Sequence, residues 1–256
     1  ILVRSCAGSG KSTTLAARAA SLVGHGVAPD RILALTFSLR AKEDLEDKMK
    51  RALNGTPCPP RVMTHHAKAL SILRAAGCTA RVLEAGEQRQ MLRKAANACA
   101  GRSLSREALR EAVRAGLPLI ARHKGAGTAP PAGSSERALL EAYQHACRAS
   151  GVVDFEDMIL LAAQALRQTG CPAALSFDHL LLDEAQDTSD SQFAMLQLLA
   201  PRDHVSVTAV GDADQVIYAC APPCPRPNMT AGTRACALRA ISLSLHISTF
   251  VGCTLP

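Results

Sequence analysis

The chain has 256 residues, with 29 Lys or Arg, 22 Asp or Glu and a net charge of +7, so it can form one large domain or one domain with an insertion. This charge favours a polyanionic partner such as nucleic acid, although many proteins of similar charge bind none. We expect no signal peptide. The sequence has no uncharged apolar run long enough to span a bilayer and no C-x-x-C pair among the ten Cys, which argues against membrane-spanning and disulfide-stapled classes. We expect an intracellular protein of the nucleus, the cytoplasm or an organelle, with free thiols, no membrane partner and no structural metal.

The first predicted strand, residues 1–3, leads into a loop of small residues and then a helix. The loop and helix start consist of Ala7, Gly8, Ser9, Gly10, Lys11, Ser12 and Thr13. In such a loop the backbone N–H groups and the helix dipole point at phosphate oxygens, Lys11 reaches the terminal phosphates, and the Ser12 hydroxyl can ligate Mg²⁺. The motif is slightly degenerate, because the strict pattern G-x-x-x-x-G-K-[ST] has Gly in place of Ser5. Since the chain begins with Ile inside a strand, we expect an upstream portion to be missing.

Four further apolar runs are typical of buried strands, and several are separated by amphipathic helical stretches. They cover residues 32–37, 61–64, 179–183 and 205–211. This alternation predicts an α/β fold with a parallel sheet covered by helices.

Residues 80–150 differ in character, with Ala, Arg, Glu and Leu at helical spacing over 87–98 and 105–115 and a small-residue loop over 125–135. Ser105 is a typical helix cap. We interpret this segment as an inserted helical subdomain. Several basic side chains could face a phosphate backbone or simply form a solvated face: Arg89, Arg93, Lys94, Arg110, Arg114, Arg122 and Lys124.

The run Leu-Leu-Leu over 180–182 ends in Asp183 and Glu184, so a buried strand delivers two carboxylates to the edge where open α/β sheets bind ligands. Asp183 is the candidate magnesium partner, and Glu184 is the candidate base that orients or deprotonates the attacking water. Combined with Lys11 and Ser12, this pair predicts nucleotide hydrolysis.

Residues 219–256 contain no Asp or Glu, include four closely spaced Pro, and show little helical period. We expect an irregular tail unlike the rest of the chain.

Five segments join the phosphate loop in a fixed order: TFSLRA at 36–41, THH at 64–66, VDFEDM at 153–158, DEAQDT at 183–188 and VGDADQVIY at 210–218. The series resembles the first motor domain of the UvrD/Rep/PcrA group of superfamily 1 DNA helicases. The resemblance covers residues 1–218. It implies a RecA-like P-loop NTPase made of 1–79 and 151–218, with an incomplete N-terminus, the insertion at 80–150 and the tail at 219–256.

The resemblance also implies site roles. ATP and Mg²⁺ are held by the loop, with Lys11, Asp183 and Glu184 catalytic, Ser12 and Asp183 on the metal, and Gln186 in the nucleotide site. Gln215 matches the glutamine that senses the γ-phosphate and couples it to the DNA track. The implied contacts to single-stranded or duplex DNA are Thr36, Phe37, Arg40, Thr64, His66 and Tyr218, with translocation from 3′ to 5′ on a single strand.

Departures from the family pattern also appear. The family usually has Thr-Asn-Lys where this chain has Ser38, Leu39 and Arg40, and Ala in place of Lys42. The match stops after Tyr218, so the second motor domain, with its arginine fingers, is missing from this chain. We therefore expect weak ATP hydrolysis by the chain alone and no unwinding.

Three alternatives remain at this point. The chain is a catalytically inactive nucleic-acid-binding remnant of a helicase, another P-loop ATPase such as a small-molecule kinase, or the product of a faulty gene model. The inactive remnant would bind DNA in a salt-sensitive manner that does not depend on ATP.

Overall fold

The computed structural model describes residues 1–4, 10–54, 58–201, 205–212 and 250–252. Its strands are β1 (Leu2–Arg4), β2 (Ile32–Thr36), β3 (Arg61–Thr64), β4 (Arg81–Val82), β5 (Val152–Val153), β6 (His179–Leu182), β7 (Ser206–Gly211) and β8 (Phe250–Gly252). Its α-helices are α1 (Lys11–Gly24), α2 (Leu39–Ala52), α3 (His65–Ala75), α4 (Ala85–Ala100), α5 (Arg106–Gly125), α6 (Ser135–Ala149), α7 (Phe155–Thr169) and α8 (Asp190–Leu199).

The main sheet follows the order β3-β2-β6-β7-β1-β8, and neighbouring strands run parallel. The five strands expected from the sequence are confirmed, with ends shifted by at most one residue. β2 ends at Thr36 rather than at residue 37 because Ser38 caps the next helix, its Oγ accepting from the Ala41 N–H at 3.2 Å. The α/β class is therefore as predicted.

Strand β2, which lies between β3 and β6, is buried along its whole length, which is why its sequence is an unbroken apolar run. Its side chains alternate between two cores. Leu33 and Leu35 join a cluster with residues of α3, α7 and α8, whereas Ile32 and Ala34 join a cluster with residues of α1 and α2. The sheet is thus covered by helices on both faces.

Helices α4, α5 and α6 pack around a third cluster centred on Tyr143, which is fully buried. Gly116 on α5 lies so near α4 that a Cβ there would come within 2.7 Å of the Leu92 side chain. The short β4–β5 pair joins the two chain segments that flank these helices. The helices fall within the segment interpreted as an insertion, and the division into subdomains remains an interpretation.

Side-chain caps start most of these helices. Ser105 Oγ accepts from the Ala108 N–H at 3.2 Å at the start of α5, as the sequence predicted. Within the tail, the described residues form only β8, which pairs with β1. None of the helices in the described ranges combines the length and apolarity that crossing a bilayer requires.

Candidate functional site

The strands of the main sheet run parallel, so the segments that follow β1, β2, β3, β6 and β7 emerge at one edge. This edge carries the predicted site residues that lie within the described ranges. Ala7, Gly8, Ser9, Gln215 and Tyr218 lie outside the described residues, and their roles remain predictions.

Helix α1 and strand β6 meet at this edge across 171 residues of sequence. The Ser12 hydroxyl donates to Oδ2 of Asp183 at 3.2 Å, and Nζ of Lys11 lies 3.7 Å from Oε2 of Glu184. Gly10 precedes the helix at φ 82°, in the left-handed region that favours glycine. The four side chains expected to converge from the sequence are therefore neighbours, whereas Thr13 on the same helix is exposed.

Burial gives this cluster unusual electrostatics. Asp183 is 3% exposed, and its pKa is raised by burial and by the charge of Glu184, against the opposing Ser12 hydrogen bond. Burial and Glu184 likewise raise the pKa of Asp187 to about 6. Oδ1 of Asp187 is buried and has no hydrogen-bond partner among the described residues. Three carboxylates thus share the neighbourhood of Lys11.

The backbone at Glu184 is strained. This residue has φ 47° and ψ 49°, a left-handed conformation that costs a non-glycine residue about 1–3 kcal/mol and is concentrated at functional sites. This left-handed conformation turns the chain from the end of β6 into a short 3₁₀ turn, Ala185–Asp187. The backbone N–H of Glu184 donates to Oδ1 of Asp183 at 3.1 Å, which holds the two acidic residues together.

Gln186 lies within this turn and is 6% exposed. Its Nε2 donates to Oε2 of Glu184 at 2.8 Å, and its Oε1 accepts from the backbone N–H of Asp212 at 3.0 Å. Both ends of the amide therefore contact protein groups, one on each of two adjacent strand ends.

The predicted DNA contacts lie along β2, β3 and the helices that follow them. Thr36 is fully buried, and its hydroxyl donates to the Ser38 carbonyl at 3.2 Å. Thr64 caps α3, accepting from the Ala67 N–H at 3.1 Å. Both hydroxyls therefore shape turns rather than face solvent, while Phe37 and His66 are half-buried and Arg40 is exposed.

Phe155 is a surface residue that the sequence reasoning did not single out. It is 52% exposed and meets the His66 ring edge-on, with centroids 5.5 Å apart and an interplanar angle of 81°. Burial lowers the pKa of His66, so its ring is neutral near pH 7. The available signal was an aromatic at the first position of a helix in a chain with only seven aromatic residues.

A second charged cluster lies beneath Phe155. Nζ of Lys124 is 2.7 Å from Oδ2 of Asp154 and 2.7 Å from Oδ1 of Asp157. The Tyr143 hydroxyl donates to Oδ2 of Asp154 at 2.9 Å, while Oδ1 of Asp154 accepts from the Asp157 N–H and so caps α7. Lys124 is 2% exposed, so both interpretations of it from sequence, a phosphate contact and a solvated face, are wrong.

The other basic residues of the helical segment behave differently from Lys124. Five of them, Arg89, Arg93, Lys94, Arg110 and Arg114, are exposed. Among the described residues, no three His, Cys, Asp or Glu side chains form a metal-binding group, and the described cysteines, Cys58, Cys78, Cys99, Cys147 and Cys171, are unpaired.

The domain has a parallel sheet with helices on both faces, a Lys-Ser pair at the start of the helix after its first strand, and an Asp-Glu pair at the end of β6, which β7 separates from β1. These features define a RecA-like nucleotide-binding α/β domain. Residues 1–220 match the sequence profile of the UvrD/REP helicase N-terminal domain, and the chain belongs to that family.

Relatives with assigned activities agree with this membership. The chain is 31% identical over 240 residues to the ATP-dependent DNA helicase PcrA of Leuconostoc citreum, a match that covers 85% of this chain and 31% of that protein. It is 29% identical over 238 residues to DNA helicase II of Escherichia coli, covering 85% and 32%. It is 27% identical over 266 residues to DNA helicase IV of the same organism, covering 85% and 38%. The chain thus spans about a third of the length of these relatives.

Proposed function

We propose that this chain is the ATP-binding motor domain of an ATP-driven DNA helicase that translocates 3′ to 5′ on single-stranded DNA. The observation that carries the proposal is the convergence of Lys11 and Ser12 with Asp183 and Glu184 at one sheet edge. Family membership and the names of the relatives support the same activity.

The metal of Mg·ATP belongs, in this proposal, between Ser12 and Asp183. A hydroxyl and a buried carboxylate only 3.2 Å apart are both oxygen donors, which are the ligands that Mg²⁺ prefers while it keeps several waters. The cation would also remove the electrostatic cost that raises the pKa of Asp183. Asp183 would hold the metal directly or through water, and Ser12 would complete its protein ligands.

Lys11 and Glu184 act on the terminal phosphate. Nζ of Lys11 and Oε2 of Glu184 are 3.7 Å apart, longer than a hydrogen bond, so a triphosphate can compete for the ammonium group. Once Lys11 binds the phosphate oxygens, the Glu184 carboxylate is released to orient or deprotonate the attacking water.

The DNA path follows the neighbouring strand ends. Phe37, His66 and Phe155 present ring surface there, and Arg40 adds an exposed positive charge. Bases stack on aromatic side chains without regard to sequence, which suits a motor that moves along any strand. Phe155 joins the contacts expected from the sequence because it is exposed and packs against His66.

A second motor domain would complete the catalytic cleft. The relatives are about three times as long as the matched segment, and arginine fingers in related phosphoryl-transfer sites contribute about 10³ to 10⁵ in rate. The isolated chain is therefore expected to bind Mg·ATP weakly and hydrolyse it slowly.

Equilibrium binding of a fluorescent ATP analogue to the purified chain tests this proposal. Lys11→Ala should remove binding, whereas Glu184→Gln should bind normally and lose turnover. Lys48→Ala is the matched control, because Lys48 pairs with Asp44 on α2 away from the site. Equal loss of binding in Lys11→Ala and Glu184→Gln would contradict the assigned roles, and DNA binding indifferent to ATP would favour the inactive remnant.

A further inference from the structure

Gln186 connects two adjacent strand ends at the proposed nucleotide site. β6 and β7 pair in parallel with Leu182 opposite Ala209, so the turn after β6 and the segment after β7 leave the sheet side by side. The Gln186 amide spans them, 2.8 Å from the Glu184 carboxylate and 3.0 Å from the backbone nitrogen of Asp212. Gln186 and Asp212 are 6% and 5% exposed, so water competes little for these bonds.

The chemistry of the two partners fixes the orientation of this amide. A carboxylate only accepts hydrogen bonds and a backbone N–H only donates, so the NH₂ must face Glu184 and the carbonyl must face Asp212. Glutamate would offer two acceptors, methionine neither donor nor strong acceptor, and asparagine is one methylene shorter. Glutamine is the side chain of this length that satisfies both partners.

The two hydrogen bonds of the Gln186 amide, here called the bridge, matter because the Glu184 carboxylate has few other contacts with the described residues. It lies 31% exposed on a strained left-handed residue, and Lys11 is 3.7 Å away. When a triphosphate draws Lys11 away, as the proposed function requires, the Gln186 bond remains to orient the carboxylate. A hydrogen bond to a charged acceptor is stronger than one between neutral groups.

We propose that Gln186 is a positioning residue that ties the Glu184 carboxylate to the backbone of Asp212, so that a change at the nucleotide is passed to the segment leaving β7. This inference rests on the proposed function and adds to it. Asp212 is the first residue after β7, and the segment that follows carries the predicted Gln215 and Tyr218. Two hydrogen bonds thus connect the Glu184 carboxylate to Asp212, where that segment begins.

Amide exchange in the ¹⁵N-labelled chain tests the bridge without nucleotide. Gln186→Met should increase exchange at the Asp212 amide about tenfold or more, the loss expected for one buried hydrogen bond. The Asp183 amide, which donates to the Leu35 carbonyl at 2.9 Å, is the internal reference and should not change. Gln192→Met is the matched control, because buried Gln192 also accepts from a backbone N–H, that of Ser189 at 3.1 Å.

Addition of a non-hydrolysable Mg·ATP analogue tests whether a change at the nucleotide site reaches Asp212. In the unmodified chain the Asp212 amide signal should shift, and Gln186→Met, compared at saturating analogue, should lose that shift. Gln186→Glu should keep its acceptor for the Asp212 amide but repel Glu184, and so lose the shift as well. Equal shifts in all chains overturn the bridge, whereas failure of the unmodified chain to bind the analogue overturns the proposed function and the bridge with it.

Discussion

Two clusters in this molecule pair a lysine with several carboxylates, and they differ in how completely the protein satisfies them. Lys124 is 2% exposed, with two carboxylate oxygens at 2.7 Å and a tyrosine hydroxyl on one of those carboxylates. Lys11 is 8% exposed, with its carboxylate at 3.7 Å, and the neighbouring Asp187 has a buried oxygen without a hydrogen-bond partner among the described residues. The first, which we call the closed cluster (Lys124, Asp154, Asp157 and Tyr143), joins structural elements. The second, which we call the open cluster (Lys11, Asp183, Glu184 and Asp187), has charge left to bind a ligand.

Removing the cation from the closed cluster should give the largest effect on stability. Lys124→Met leaves Asp154 and Asp157 buried without their cation, which should lower the free energy of unfolding by about 3–5 kcal/mol. Urea titration measures this change. Arg114→Met, which removes only an exposed pair with Glu111, should leave the free energy of unfolding essentially unchanged. A loss below about 1 kcal/mol for Lys124→Met would mean that the cluster is not a structural lock.

Substitution of Phe155, the residue after Asp154 of the closed cluster, should affect DNA binding rather than stability. Phe155→Ala should weaken binding of a single-stranded oligonucleotide by about 1–3 kcal/mol through the loss of base stacking. Its free energy of unfolding should change little, because half of the ring is exposed. Leu161→Ala, on the same helix and also partly exposed, is the control in a fluorescence anisotropy titration. Equal affinities for the two variants would remove Phe155 from the DNA path.

The open cluster should gain stability when its strain is relieved. Glu184→Gly removes a left-handed non-glycine residue and a carboxylate near Asp183, so the free energy of unfolding should rise by about 1 kcal/mol while ATP turnover is lost.

Asn54 provides the control for this change. It is the other non-glycine residue with positive φ in the described ranges, at 34°, and asparagine tolerates this region. Asn54→Gly should therefore change the free energy of unfolding by only a few tenths of a kcal/mol. A destabilised Glu184→Gly chain would contradict this prediction, because it would show that the lost contacts of the carboxylate with Gln186 and Lys11 outweigh the relief of strain.

A pH dependence of stability is also expected at Asp187. Burial and the Glu184 charge raise its folded-state pKa to about 6, with Lys11 opposing, so between about pH 4 and 6 the folded state holds more protons than the unfolded state. Its contribution to stability is thus greatest below pH 4 and is lost as the pH rises through 6. In urea titrations across this range, Asp187→Asn should show a shallower decline than the unmodified chain. Identical slopes would contradict the shift.

The sequence predicted the open cluster better than the closed one, for physical reasons. Lys11, Ser12, Asp183 and Glu184 follow apolar runs, and parallel strands bring their carboxyl ends to one edge, so spacing alone implied convergence. Lys124 resembles the exposed basic residues around it, because its partners Asp154 and Asp157 lie about 30 residues away and only helix packing unites them.

The Gln186 bridge was equally out of reach of sequence reasoning. Its partner at Asp212 is a backbone N–H, which every residue except proline carries, so no side-chain pattern marks it. Phe155 lies within the VDFEDM segment at 153–158, but its exposure depends on how α7 packs against α3. The sequence pattern therefore could not predict contacts that are made through backbone groups or set by the packing of helices.

The magnesium dependence of ATP binding tests the central claim most directly. Isothermal titration with and without excess Mg²⁺ should show at least about tenfold tighter binding with the metal in the unmodified chain, and less than about twofold in Asp183→Asn. Asp190→Asn, an exposed carboxylate at the start of α8, should behave like the unmodified chain. An undiminished metal effect in Asp183→Asn would contradict the claim that Asp183 and the Lys11-Ser12 pair bind one metal-nucleotide.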